Sequence, residues 1–263
     1  MIKDITIGQY YPVDSCIHRL DPRTKFLGTI MFIVSLFLFR SFWGFILCGG
    51  FLVFVTALAK IPAGYLIKGM RPMLFLLLFM MIFSLLLTPG EIIGQWWIFK
   101  VTKEGIYTAL FMGLRLIMLV FGSSLMTYTT TPNKLTSGME SVFGFLKIFK
   151  VPVHEMAMMI SIALRFIPIL LEETNKIMKA QQARGADFES GGVIKRAKAF
   201  IPLLIPLFVS AFRRAGELAE AMEARCYHGG EGRTRMKPLK YRLRDLIAFL
   251  ALVGLIVGCI FIP

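Results

Sequence analysis

Residues 41–59 read SFWGFILCGGFLVFVTALA, nineteen positions without a charged side chain. A helix needs about 20 apolar residues to cross a bilayer, so this stretch decides the fold class. Working outward, Arg40 alone separates it from an uncharged run at Phe26–Phe39, whose helix is expected to begin at Pro22 or Arg23. Further runs follow at Pro72–Gly90, at about Gly105–Thr131 with Arg115 inside it, and at Leu246–Pro263. Composition agrees: 56% of the chain is hydrophobic and 17% charged, against roughly 45–50% and about 25% in soluble domains. The expected fold is an all-α integral membrane protein with about five transmembrane helices. Its net charge of +14 is then read as orientation in the bilayer, with no nucleic acid as partner.

The connections carry that orientation. Arg19, Arg23 and Lys25 stand at the first span, and Lys60, Lys68 and Arg71 lie between the second and third with no acid among them. The first connection holds Arg40 alone, and the third mixes Glu91 and Glu104 with Lys100 and Lys103. By the positive-inside rule the N-terminus and second connection are cytoplasmic, and the chain returns to that side near Thr131. The last span, entered through Arg242 and Arg244, is expected to end outside. Met1–Tyr11 shows no signal-peptide pattern, so the first span is expected to direct insertion. Asp21 and Pro22 suit the N-cap and first position of its helix. Arg115 is a costly cation within a span and is read as structural or snorkelling. His18 is read as a local hydrogen-bonding residue. Cys16, Cys48, Cys226 and Cys259 are too scattered for a disulfide framework or a thiolate metal site, and no metal is expected.

Three parts follow: 1–131 with four spans, 132–241 as a helical section, and 242–263 as the last span. From Glu172 to Asp245 there are 15 Lys and Arg against 9 Asp and Glu. Pro132 opens a short helix with Leu135, Met139, Val142, Phe143 and Leu146 at its apolar positions. Pro152 opens a longer one, Val153 to about Arg184, and a third is expected from Val193 to Arg225. The two long helices are apolar first and charged later, which suits the membrane surface. Each carries a charge pair at i,i+4 spacing, Glu172 with Lys176 and Arg213 with Glu217. Each ends in a small–Arg–small triplet, Ala183-Arg184-Gly185 and Ala224-Arg225-Cys226. An arginine offers five donors in a planar fork. Two of them on matched helices point to a bipartite socket on two copies of one partner or on a related pair. Gly229-Gly230-Glu231-Gly232-Arg233 lacks the spacing and the strand of a phosphate loop, so no nucleotide, other cofactor or catalytic residue is assigned to the chain.

The string His18-Arg19-Leu20-Asp21-Pro22-Arg23-Thr24-Lys25, the Gln182-Ala183-Arg184-Gly185 turn and Glu223-Ala224-Arg225-Cys226-Tyr227 with Gly229-Gly230 closely resemble the transmembrane T component of energy-coupling factor transporters. The resemblance runs from about Gly8 to Arg244. It implies a non-catalytic scaffold in a prokaryotic plasma membrane, with three cytoplasmic coupling helices. The implied partners are two ABC-type ATPases, a related pair that binds the ATP, and a small membrane-embedded S component that chooses a vitamin or micronutrient. It makes Ala183, Arg184, Gly185, Ala224, Arg225 and Cys226 the ATPase-docking residues. A dedicated cobalt or nickel T component, or a membrane anchor without transport, are the alternatives. Two departures stand out. Val13 and Cys16 replace residues that are commonly glycine and proline. Cys226 replaces a glycine, and because cysteine enters the left-handed region at a cost the helix is expected to run on toward Gly229. An intramembrane enzyme would need converging carboxylates or histidines, and a secondary transporter inverted repeats with broken helices. Neither pattern is found in the spans.

Overall fold

The computed structural model describes residues 10–96, 99–186, 188, 192, 194, 200–230, 232, 236 and 238–262. Eight α-helices and one β-hairpin are described: α1 Pro22–Leu38, α2 Phe42–Ala59, α3 Ala63–Leu87, β1 Ile92–Trp96, β2 Phe99–Thr102, α4 Lys103–Thr129, α5 Pro132–Val142, α6 Val153–Ala183, α7 Ile201–Glu223 and α8 Leu243–Phe261. The described residues form two compact units, one of 10–142 with 238–262 and the other of 143–236. By length and composition α2, α4, α6 and α8 can each cross a membrane, while α3 contributes a shorter apolar stretch at Met73–Leu87. The protein is a multi-pass, all-helical membrane protein apart from the hairpin.

In the first unit, the expected cap opens α1: Asp21 Oδ1 accepts from Arg23 N at 2.9 Å, with Pro22 as first helical residue. Beside it His18 is buried. Its Nε2–H donates to Tyr11 O at 3.0 Å, which leaves Nδ1 to accept from the Ser15 hydroxyl at 2.7 Å. These partners specify one neutral tautomer, and burial followed by the charge of Lys25 holds the imidazole below its usual pKa. Lys25 Nζ donates to His18 O and to Thr129 O, fastening α1 to the end of α4. Asp245 fastens α1 to α8: Oδ1 accepts from Asp21 N and Oδ2 from Arg242 N, both at 2.8 Å. One end of the bundle therefore gathers the starts of α1 and α8 and the end of α4. Tyr128 adds the start of α3 through its hydroxyl, which donates to Tyr65 O at 3.2 Å.

At the other end Arg115 Nη2 donates to Phe39 O at 3.2 Å, and its guanidinium lies over the rings of Phe37 and Phe111 at 5.1 and 4.8 Å. A cation at a helix C-terminus meets the negative end of the helix dipole, so Arg115 is structural. Phe39, Phe45 and Phe111 pack edge to face in the adjoining core. The α3–α4 connection, read from sequence as a charged loop, contains the antiparallel β1–β2 hairpin, with Trp96 opposite Phe99 and an irregularity between Ile92 and Gly94. Thr102 closes it, its hydroxyl accepting from Gly105 N to cap α4 and donating to Thr88 O at the end of α3.

Two cysteines that sequence left apart come together. Cys48 on α2 and Cys259 on α8 are free thiols whose sulfurs lie 3.5 Å apart, both fully buried. Helix packing, which spacing along the chain does not reveal, brings them into contact. The compact division also falls elsewhere than the sequence partition. Helix α5 belongs with the membrane unit because Gly138 lets it lie against Pro22, where an added Cβ would come within 2.9 Å of that ring. Its expected continuation through Phe143 and Leu146 tightens into a 3₁₀ helix, Phe143–Phe149.

Candidate docking site at the ends of α6 and α7

The second unit is built on α6 and α7, which pack on one another. Little of either is buried: Val153 and Ala157 on α6, Leu203 and Ser210 on α7. Their apolar halves are left uncovered, with Met156, Met159 and Ile160 exposed on one and Leu204, Ile205, Phe208, Val209 and Phe212 on the other. So much exposed apolar area signals a lipid or protein interface. The expected start of α7 at Val193 falls partly on residues outside those described.

The charged halves meet through an ion pair that sequence reading missed. Arg214 Nη2 donates to Glu173 Oε2 at 3.4 Å. The expected pairs within each helix, Glu172 with Lys176 and Arg213 with Glu217, do not close to an ion pair. All four side chains are exposed, where an ion pair gains little. The two helices align at a constant offset of 41 residues, which also superposes the two triplets. On α6 positions 172, 173, 176 and 179 read Glu, Glu, Lys, Lys, and the matching positions of α7 read Arg, Arg, Glu, Glu. The charges are inverted from one helix to the other. Glu173 and Arg214 are themselves matching positions. Arg184 lies eleven residues beyond Glu173 and Arg225 eleven beyond Arg214, a rise of about 16 Å along each helix.

Both helices stop by the same turn. Gly185 N donates to Gln182 O and Ala186 N to Gln181 O, each at 3.0 Å. Cys226 N donates to Glu223 O at 2.8 Å and Tyr227 N to Met222 O at 3.1 Å. These paired 5→2 and 6→1 bonds form the Schellman motif, whose C′ residue sits in the left-handed region. Gly185 has φ +87° and Cys226 φ +55°. The expectation that the helix runs on toward Gly229 is therefore overturned: Cys226 takes the glycine conformation, because two helix-end carbonyls gain donors that way. Both arginines occupy the same place, one residue before the turn. Ala183, Arg184, Gly185, Ala224, Arg225 and Cys226 are all exposed, and neither guanidinium has an ion pair or hydrogen bond among the described residues. The structure thus presents two matched, exposed guanidinium forks.

The family model described as CbiQ, cobalt transport protein, matches residues 14–236. The chain belongs to this family. Its curated relatives carry the name energy-coupling factor transporter transmembrane protein EcfT. The relative from Acidaminococcus fermentans is 53% identical over 257 residues, covering 98% of this chain and 96% of that protein. Those from Bacillus subtilis and Lactococcus lactis are 47% and 44% identical, covering 97% and 96% of this chain and 97% and 95% of their own. Family membership thus makes the chain a transmembrane component of an energy-coupling factor transporter.

Proposed function

We propose that the chain is the mechanical link of an energy-coupling factor importer, joining two ABC-type ATPases to a small substrate-binding membrane protein. Ala183-Arg184-Gly185 seats in a groove on one ATPase and Ala224-Arg225-Cys226 in the matching groove on the other. The charged halves of α6 and α7 act as rods, and their apolar halves form a face that carries the substrate-binding protein. ATP is held by the ATPases, and this chain does no chemistry. The N-terminus and the coupling helices lie in the cytoplasm, with α8 ending outside. The observation that carries this reading is the pair of helix ends closed by the same turn, each presenting an exposed arginine at the same helical distance from the Glu173–Arg214 contact.

In a reconstituted complex Arg184→Ala and Arg225→Ala are each expected to weaken retention of the ATPases, and together to abolish uptake. Losing a charged, hydrogen-bonded group from a buried interface typically costs about 2–5 kcal/mol, which a pull-down resolves. Full uptake by the double variant overturns the docking assignment. Affinity purification identifies the cargo system: two different ATPases with varied small membrane proteins mark a shared vitamin importer, and one ATPase type with a dedicated partner marks a metal importer.

A further inference from the structure

Within the membrane unit, α1, α2, α4 and α8 leave a pocket of about 380 Å³, within the range of small-molecule sites. Its walls are hydrocarbon, with Phe51, Leu52 and Val55 of α2 facing Met126 of α4 and Ala248 of α8. Phe54, Leu58 and Ile247 at its margin are exposed, so the pocket opens sideways between helices that cross the bilayer. Among the described residues no carboxylate lines it, but two cations do, Lys25 and Arg244. Both belong to the end where α1 and α8 begin.

Neither cation closes an ion pair among the described residues. Lys25 spends two of its three donors on the carbonyls of His18 and Thr129, leaving one. The Arg244 guanidinium has no ion pair or hydrogen bond among the described residues. The acids at this end, Asp21 and Asp245, accept from backbone N–H groups and their charges also act on Lys25, but with Arg23 and Arg242 beside Lys25 and Arg244 the cations outnumber them four to two. An apolar trough with unpaired positive charge at one end matches a molecule with a hydrocarbon tail and an anionic head, and basic pockets between membrane helices bind such headgroups.

We propose that this pocket holds an acyl chain of an anionic phospholipid, with the lipid phosphate on Lys25 and Arg244. A protein helix filling the same space would need no anion there.

The test uses the full chain purified in mild detergent, with phosphatidylglycerol and phosphatidylcholine of the same acyl chains as probes and bound lipid counted by native mass spectrometry. One phosphatidylglycerol is expected to be retained, about 25-fold more strongly than phosphatidylcholine, about fivefold from each cation. Arg244→Gln, at an exposed helix start, is expected to reduce that preference about fivefold. Ala248→Phe, checked for folding by circular dichroism, is expected to expel both lipids by filling the pocket. Equal retention of the two lipids, or an unchanged preference in Arg244→Gln, overturns the proposal. So does an Ala248→Phe variant that keeps its lipid yet loses a small membrane protein from the affinity-purified complex, since the occupant would then be a protein helix.

Discussion

Cys226 holds φ at +55°, a conformation that costs an L-residue other than glycine roughly 1–2 kcal/mol. The turn keeps it there because Cys226 N and Tyr227 N satisfy Glu223 O and Met222 O, carbonyls that would otherwise lack donors at the helix end. Removing the Cβ should therefore stabilise the same turn. Cys226→Gly is expected to slow amide exchange at Tyr227 by severalfold, and Gly185→Ala to speed exchange at Ala186 by the opposite amount. An unchanged Tyr227 amide in Cys226→Gly would show that cysteine carries no strain there. The triplets themselves were legible in the sequence, arginine and small neighbours included. The geometry of the second was misread because intrinsic preference argues against cysteine at that place, and the preference lost to hydrogen bonding. Gly185, aligned 41 residues earlier, was the signal that would have corrected it.

Between α6 and α7 the informative unit is a pair of helices, and this is where reading each helix alone fell short. Spacing of i,i+4 assigns Glu172 to Lys176 and Arg213 to Glu217, whereas the structure joins Glu173 to Arg214 across the contact. Nothing within one helix distinguishes the two outcomes. The inverted charge order at matching positions does, once the helices are laid side by side. It also sets a preference of partner: α6 beside a second α6 would oppose Glu172 and Glu173 to themselves. Glu173→Arg should place like charges at the contact and lower stability by about 1 kcal/mol, since the bridge is only half-buried. Arg214→Glu should do the same. The double reversal, Glu173→Arg with Arg214→Glu, is expected to restore most of the loss, measured as the coupling term of a double-mutant cycle in thermal unfolding. Additive losses would mean that the pair does not interact in the folded protein.

Across the whole molecule the membrane unit is closed by a bond that joins near-opposite ends of the chain. Apolar runs located α2, α4 and α8, each long and apolar enough to cross a bilayer, whereas α6, read from sequence as a cytoplasmic helix, meets the same measure. They could not show which helices are neighbours, and Asp245 was passed over as one more charge beside Arg242 and Arg244. In the structure it is buried and accepts from the first residue of its own helix turn and from Asp21 N, 224 residues away. The first and last spans are thus registered against each other by one carboxylate with an acceptor for each backbone donor. Asn has a single carbonyl oxygen and can satisfy one of the two, and Ala neither. A buried donor left without a partner costs about 1–3 kcal/mol, so thermal stability in detergent should fall in steps, Asp245→Asn by about one donor's worth and Asp245→Ala by about two. Leu252 and Leu255 keep the apolar contact of α8 in every variant, so the losses should appear without loss of helix content. Equal stability of the three proteins would mean that α8 is held by that apolar contact alone, and the carboxylate would then have no part in seating the last span on the first.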